Sequence, residues 1–156
     1  MQEDPTPQHE WLHRLVGEWS YSMSCPMGPE GAMVETAGRE TFTKLGELWV
    51  RGELVGEFPG GLSVTGLMTL GFCPRTSRYI GNWIGTPSSH MFVYSGDREG
   101  DVLTLDCEGP SFADPNKIVP YQDVIEFQGD VRILRSQTRG EDGAWKEFMR
   151  SEFRRI

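Results

Sequence analysis

The sequence predicts an all-β protein: a single antiparallel up-and-down β-barrel of about ten strands, capped by a short N-terminal helix. Three observations carry this reading. Period-two alternation of apolar and polar residues begins after Gly17 and returns in short segments to the C-terminus. The 19 glycines and 10 prolines punctuate those segments at short, regular intervals. The one helical pattern precedes the first strand, so the crossovers that a parallel sheet requires are missing. A meander of this length either stacks as a sandwich or closes on itself, and closure removes exposed edges. Glycines inside the strands, at 52, 56, 66, 71 and 81, favour closure because they permit sharp coiling.

Taken in order, residues 1–7 read as a flexible, acidic lead broken by Pro5 and Pro7, and residues 8–156 as one domain. Thr6 can cap a helix with Pro7 at its first position. Trp11, Leu12, Leu15 and Val16 then form one apolar face of two to three turns that stop at Gly17. Trp19, Tyr21 and Met23 alternate with polar residues as the first strand, which runs into a turn-rich loop over Cys25–Gly31. Further strands are expected over 33–44, 48–58, 63–72, 79–84, 90–95, 102–107, 121–127, 131–138 and 145–153. Between them lie Leu45-Gly46-Glu47, Pro59-Gly60-Gly61, Cys73–Arg78, Gly85–Ser89, Gly96–Gly100, the long loop Gly109–Pro120, Gly129-Asp130 and Gly140–Gly143.

Composition limits the partners. The formal charge is −8 with 15 scattered Lys and Arg, whereas nucleic acid calls for a concentrated basic surface, so nucleic acid is not expected as a partner. No apolar stretch has the length to span a bilayer, so no membrane insertion is expected. The acidic N-terminus does not read as a secretory signal. Cys25, Cys73 and Cys107 are odd in number and widely spaced, which fits reduced thiols and a cytoplasmic location.

Blocks along nearly the whole chain resemble a known family. His9-Glu10-Trp11-Leu12 through Gly17-Glu18-Trp19, Gly38-x-Glu40, Leu45-Gly46, Gly66 to Gly71-Phe72, Tyr79 to Trp83, Gly96-Asp97 to Thr104-Leu105, Asp114-Pro115 and Phe153-Arg154-Arg155 are similar to the bacterial domain of unknown function 1579. The resemblance implies a calycin-like barrel related to lipocalins, whose opening motif is similar to Gly17-x-Trp19. It implies no particular activity.

His9-Glu10-x-x-His13 spells a zinc-protease motif, with two ligands one helical turn apart and a glutamate base. It lies ahead of the fold, with no third ligand at a recognisable spacing, so His9 and His13 are expected to ride on the cap helix and no metal is expected. The lumen candidates for ligand binding are Trp19, Trp49, Arg51, Trp83, His90, Tyr94, Asp123 and Arg135. Trp49 with Arg51 on its face, and Trp83, read as an aromatic wall with one cation, suited to an apolar molecule bearing an acid group. His90 shares a face with Phe92 and Tyr94, as a polar anchor or, by analogy with haem-binding calycins, an axial haem ligand; a strand-end histidine bonded to a loop is the plainer reading. Arg135, in phase with Val131 and Ile133, is a lumen candidate: inward, it needs Asp123, Glu126 or a ligand anion as partner, and the plainer readings are an internal ion pair or an outward-facing arginine. No nucleophile motif is present. The best reading is therefore a noncovalent binder of a small apolar or amphipathic molecule in the lumen, with no cofactor. The alternatives are an enzyme acting on a small substrate there, and a packed structural module whose outer face forms a homodimer.

Overall fold

The computed structural model describes residues 2–26 and 31–156, so most of the loop expected over Cys25–Gly31 lies outside the described residues. The chain enters through an α-helix, α1, over Pro7–Leu12, which tightens into a 3-10 turn over His13–Leu15. Thr6 stands at the N-cap as expected, and its backbone N–H donates to Nδ1 of His9 (2.9 Å). The α-helix is shorter than its apolar periodicity suggests because the chain must swing into the first strand. Val16 N bonds to the His13 carbonyl (3.1 Å), and Gly17 takes φ +135°, a value that L side chains rarely adopt.

Ten antiparallel strands follow: β1 Gly17–Cys25, β2 Val34–Leu45, β3 Trp49–Phe58, β4 Leu62–Cys73, β5 Arg78–Gly85, β6 Ser88–Glu99, β7 Val102–Pro110, β8 Ile118–Gln128, β9 Val131–Arg139 and β10 Trp145–Arg155. Each pairs with its neighbours in sequence, and β1 closes on β10 from Trp19↔Arg155 to Ser24↔Arg150. The predicted fold class is thus the observed one. Tight reversals join β2 to β3, β6 to β7 and β8 to β9, with Gly46, Gly100 and Gly129 at φ 62°, 60° and 61°. Among the described residues, no helix is long and apolar enough to cross a membrane.

Alternation sends Trp19, Tyr21 and Met23 inward, facing Phe42, Val50, Leu70, Leu103, Leu105 and Phe153. Glycine makes room where two inward rings would otherwise collide with the wall. At Gly52 a Cβ would meet Phe42 Cζ at 2.5 Å, so only glycine lets that ring lie flat against β3. The cap closes its end of the core, with Leu12 of α1 and Leu15 of the 3-10 turn 1% and 0% exposed. At the opposite end, inward residues Leu54, Phe58, Trp83, Phe92, Val119 and Phe148 are only partly buried. The barrel is thus plugged at one end and open to solvent at the other.

Among the described residues two ladders stop short of their strand ends: β1–β10 ends at Ser24↔Arg150 while β10 continues to Trp145 on β9, and β6–β7 ends early as well. The β6–β7 ladder runs from Glu99↔Val102 only to Ser95↔Asp106. Below that point β6 stays with β5 down to Ser88, and β7 stays with β8 down to Pro110↔Ile118. Between the lower halves of β6 and β7 this leaves a side window without backbone pairing, spanned by the Phe92 ring against Gly109 and by His90.

Candidate functional site

The predicted site residues divide into three groups. Trp19 points inward but belongs to the plug: it is 2% exposed, its indole donates to the Leu15 carbonyl (2.8 Å), and the guanidiniums of Arg155 and Arg132 lie 4.2 and 4.6 Å from its ring. Trp49, Arg51 and Arg135, lumen candidates in the sequence, face outward instead. On β3 the inward phase is Val50, Gly52 and Leu54, which leaves Trp49 over Gly71 on the outer surface and Arg51 beside Glu53 (3.5 Å). Arg135 meets Glu126 (3.6 Å), one of its candidate partners, but on the outer face.

The inward arginine of β9 is Arg132. The segment Val-Arg-Ile-Leu-Arg carries an aliphatic residue and an arginine in each phase, so alternation alone does not choose between them. Arg132 reaches across the lumen to Glu40 on β2 (2.5 Å), and its guanidinium lies 3.9 Å from the centre of the Phe153 ring. Burial pulls its pKa down, and the Glu40 carboxylate opposes that shift.

The remaining candidates stand on the inner wall. Tyr94 Oη donates to Asp123 Oδ2 (2.5 Å) and Ser136 Oγ to Oδ1 (2.6 Å). Burial holds the Asp123 carboxyl above its ordinary range despite those two hydrogen bonds. Nearer the open end, Trp83 and His90 flank Phe92, with ring centres 6.0 and 4.7 Å away. His90 Nε2 donates to the Glu108 carbonyl (2.8 Å), spanning the window where the ladder has stopped. The structure therefore brings Trp83, His90, Tyr94 and Asp123 to one side of the barrel and leaves Trp19 at the other end.

The two histidines of the His-Glu-x-x-His string serve different strands. His9 is buried and its Nε2 meets the Phe72 carbonyl at the end of β4 (3.0 Å), while His13 Nε2 meets the Glu47 carbonyl in the β2–β3 turn (3.0 Å). Both rings staple the cap to the barrel. Among the described residues no group of three or more His, Cys, Asp or Glu side chains is arranged to hold a metal ion.

A groove of about 730 Å³ runs along the window. Its back is formed by His90, Cys107 and Tyr121, and its apolar walls include Met91, Val93, Ile118 and Trp145. Met91, Val93 and Ile118 are 51%, 62% and 57% exposed. Asp106, Glu108 and Arg139 supply the charge. Tyr121 links the groove to the aromatic mouth, with ring centres 5.8 Å from both Phe92 and Phe148. Burial, and after it the carboxylates of Asp123, Asp106 and Glu108, push the Cys107 thiol up to about 12. Of the predicted residues, only His90 lines this groove. The signal that marks it in the sequence is β6 itself, where Met91 and Val93 in one phase and Phe92 and Tyr94 in the other make the strand apolar on both faces. A smaller hollow, about 330 Å³, sits at the plugged end beside Arg14, Phe127, Asp130 and Arg154.

Residues 4–155 match the profile of the family described as "Protein of unknown function (DUF1579)". The chain belongs to the DUF1579 family. No curated protein sequence matches it. Among solved structures, this DUF1579 protein is similar to Rv2717c from M. tuberculosis, with a TM-score of 0.67 and 16% identity over 98% of this chain and 99% of the other. It is also similar to EF1p2_mFAP2b, described as bound to DFHBI, with a TM-score of 0.51 and 14% identity over 96% and 99%. At these identities the likeness is one of fold.

Proposed function

We propose that this DUF1579 protein is a noncovalent binder of a small apolar or amphipathic molecule, held in the window groove beside the open end of the barrel. The observation that carries this reading is the groove itself. Its volume of about 730 Å³ falls within the ~300–1,000 Å³ of small-molecule sites, and it combines apolar walls with a few convergent polar groups, as such sites do. Exposed Met91, Val93 and Ile118 in one hollow form an apolar patch that solvent alone does not explain. The fold neighbour described as bound to DFHBI supports a barrel of this general shape as a container. Binding needs no cofactor in this reading. The Asp123 carboxyl already receives two donors, which favours a fixed wall over a catalytic acid.

The test is titration with the neutral, environment-sensitive probe N-phenyl-1-naphthylamine, with Val93→Asp and Ile118→Asp as groove variants. Saturable fluorescence enhancement that both variants abolish, while the folded-state circular dichroism is kept, supports the reading. Enhancement that both variants retain, or none in the wild type, refutes it.

A further inference from the structure

The charges around the groove are unequal, and this inference rests on the groove being the ligand site. Its carboxylates come from Asp106 and Glu108, on the outer face of β7, and among the described residues that line it the permanent cation is Arg139. Arg139 is already committed: its guanidinium lies over the Trp145 ring, 5.6 Å from the centre. His90 turns a ring N–H to the Glu108 carbonyl. Asp106 accepts from Gln122 Nε2 (2.7 Å) and shares the Arg78 guanidinium (3.6 Å), which also binds Asp97. Glu108 makes no ion pair among the described residues.

Two carboxylates thus sit beside an apolar trough lined in part by Tyr121, Trp145 and His90. Aromatic faces and a carboxylate attract an organic cation and repel an anion, and both effects grow where water is thinned out. The thiol of Cys107 at the back of the groove senses the same field, since the neighbouring carboxylates add to burial in disfavouring its thiolate. The formal charge of −8 acts in the same direction at longer range.

We propose that the groove selects a cationic amphiphile, an alkyl or aryl amine or quaternary ammonium, with its charged head at Glu108 and Asp106 and its apolar body along Met91, Val93 and Ile118. This reverses the polarity that the sequence suggests through Trp49 and Arg51, both of which lie on the outer surface of β3, away from the groove.

The experiment displaces bound N-phenyl-1-naphthylamine with three ligands of one chain length: decyltrimethylammonium, decanol and decanoate, all below their micellar concentrations. Decyltrimethylammonium should displace the probe at a concentration about threefold or more below that for decanoate, within the yield of one partly exposed charge contact. Glu108→Gln should shrink that ratio, Arg139→Gln should enlarge it, and salt should narrow it. Decanoate displacing as well as or better than the cation, or a ratio unmoved by Glu108→Gln, overturns the proposal while leaving the groove as a binding site. Failure of the neutral probe to bind removes the groove as a site and the proposal with it.

Discussion

The buried pair Glu40–Arg132 is the sharpest test of how this barrel is built. The two side chains are 7% and 2% exposed and meet at 2.5 Å, with the guanidinium packed among Trp19, Phe42 and Phe153. Removing one partner leaves a buried, unpaired charge, which costs about 3–5 kcal/mol. Glu40→Leu should therefore be severe, because Arg132 cannot reach water through the plug. Arg132→Met should cost less than that range, since a carboxylate left alone can protonate, while the thioether keeps contact with the three rings. The double variant, Glu40→Leu with Arg132→Met, should return to within about 2 kcal/mol of the parent, because it removes both desolvation costs together. Urea unfolding at pH 7, followed by tryptophan fluorescence, measures this. With an m-value of about 2 kcal/mol/M, the midpoint for Glu40→Leu should fall by roughly 2 M and largely recover in the double variant. A loss below about 1 kcal/mol in Glu40→Leu, or a double variant as unstable as the sum of the singles, would refute the reasoning.

Three further outcomes follow from the same electrostatics. Burial raises Asp123, so the folded protein holds a proton there that the unfolded chain has released; stability falls as pH rises from about 4 through the raised value, and Asp123→Asn should flatten that part of the stability–pH curve. A curve unchanged in Asp123→Asn would count against it. Tyr21 is pushed up to about 12 by burial and by Glu40, and burial also raises Tyr94 and Tyr121. Absorbance at 295 nm should therefore show these three phenols ionising late, with alkaline unfolding setting in between pH 10 and 12, as the unfolded chain loses protons that the folded one keeps. Among the thiols, Cys73 is held below its ordinary range by Thr76 and by backbone hydrogen bonds, whereas Cys107 is buried and raised. A thiol-reactive disulfide at pH 7 should label Cys73 first, and Cys73→Ser should remove the fast phase; a fast phase that survives would show the assignment to be wrong.

Much of this molecule is legible in its sequence because local chemistry suffices for it. Period-two alternation, turn glycines and the missing second helix define ten antiparallel strands, and Thr6, Pro7 and Gly17 bracket the cap because capping and positive φ are properties of single residues. Closure itself was legible only as an inference from edges and glycines, and the pairing of β1 with β10 bears it out. The inward phase of a strand was legible where one face is plainly apolar, as in Trp19, Tyr21 and Met23. It was misread in β3, where glycines at 52 and 56 thin an inner face of Val50, Leu54 and Phe58 and leave Trp49 and Arg51 as the conspicuous side chains on the outer one. It was not legible in β9, where the deciding partner of Arg132 is Glu40, 92 residues away. The window and its groove depend on where the β6–β7 ladder stops, beyond which β6 continues only with β5 and β7 only with β8. Sequence determined the strands, the cap and the barrel; only the tertiary structure decided which arginine is buried and where the wall opens, because register and charge pairing are settled between residues that meet only after the chain has closed.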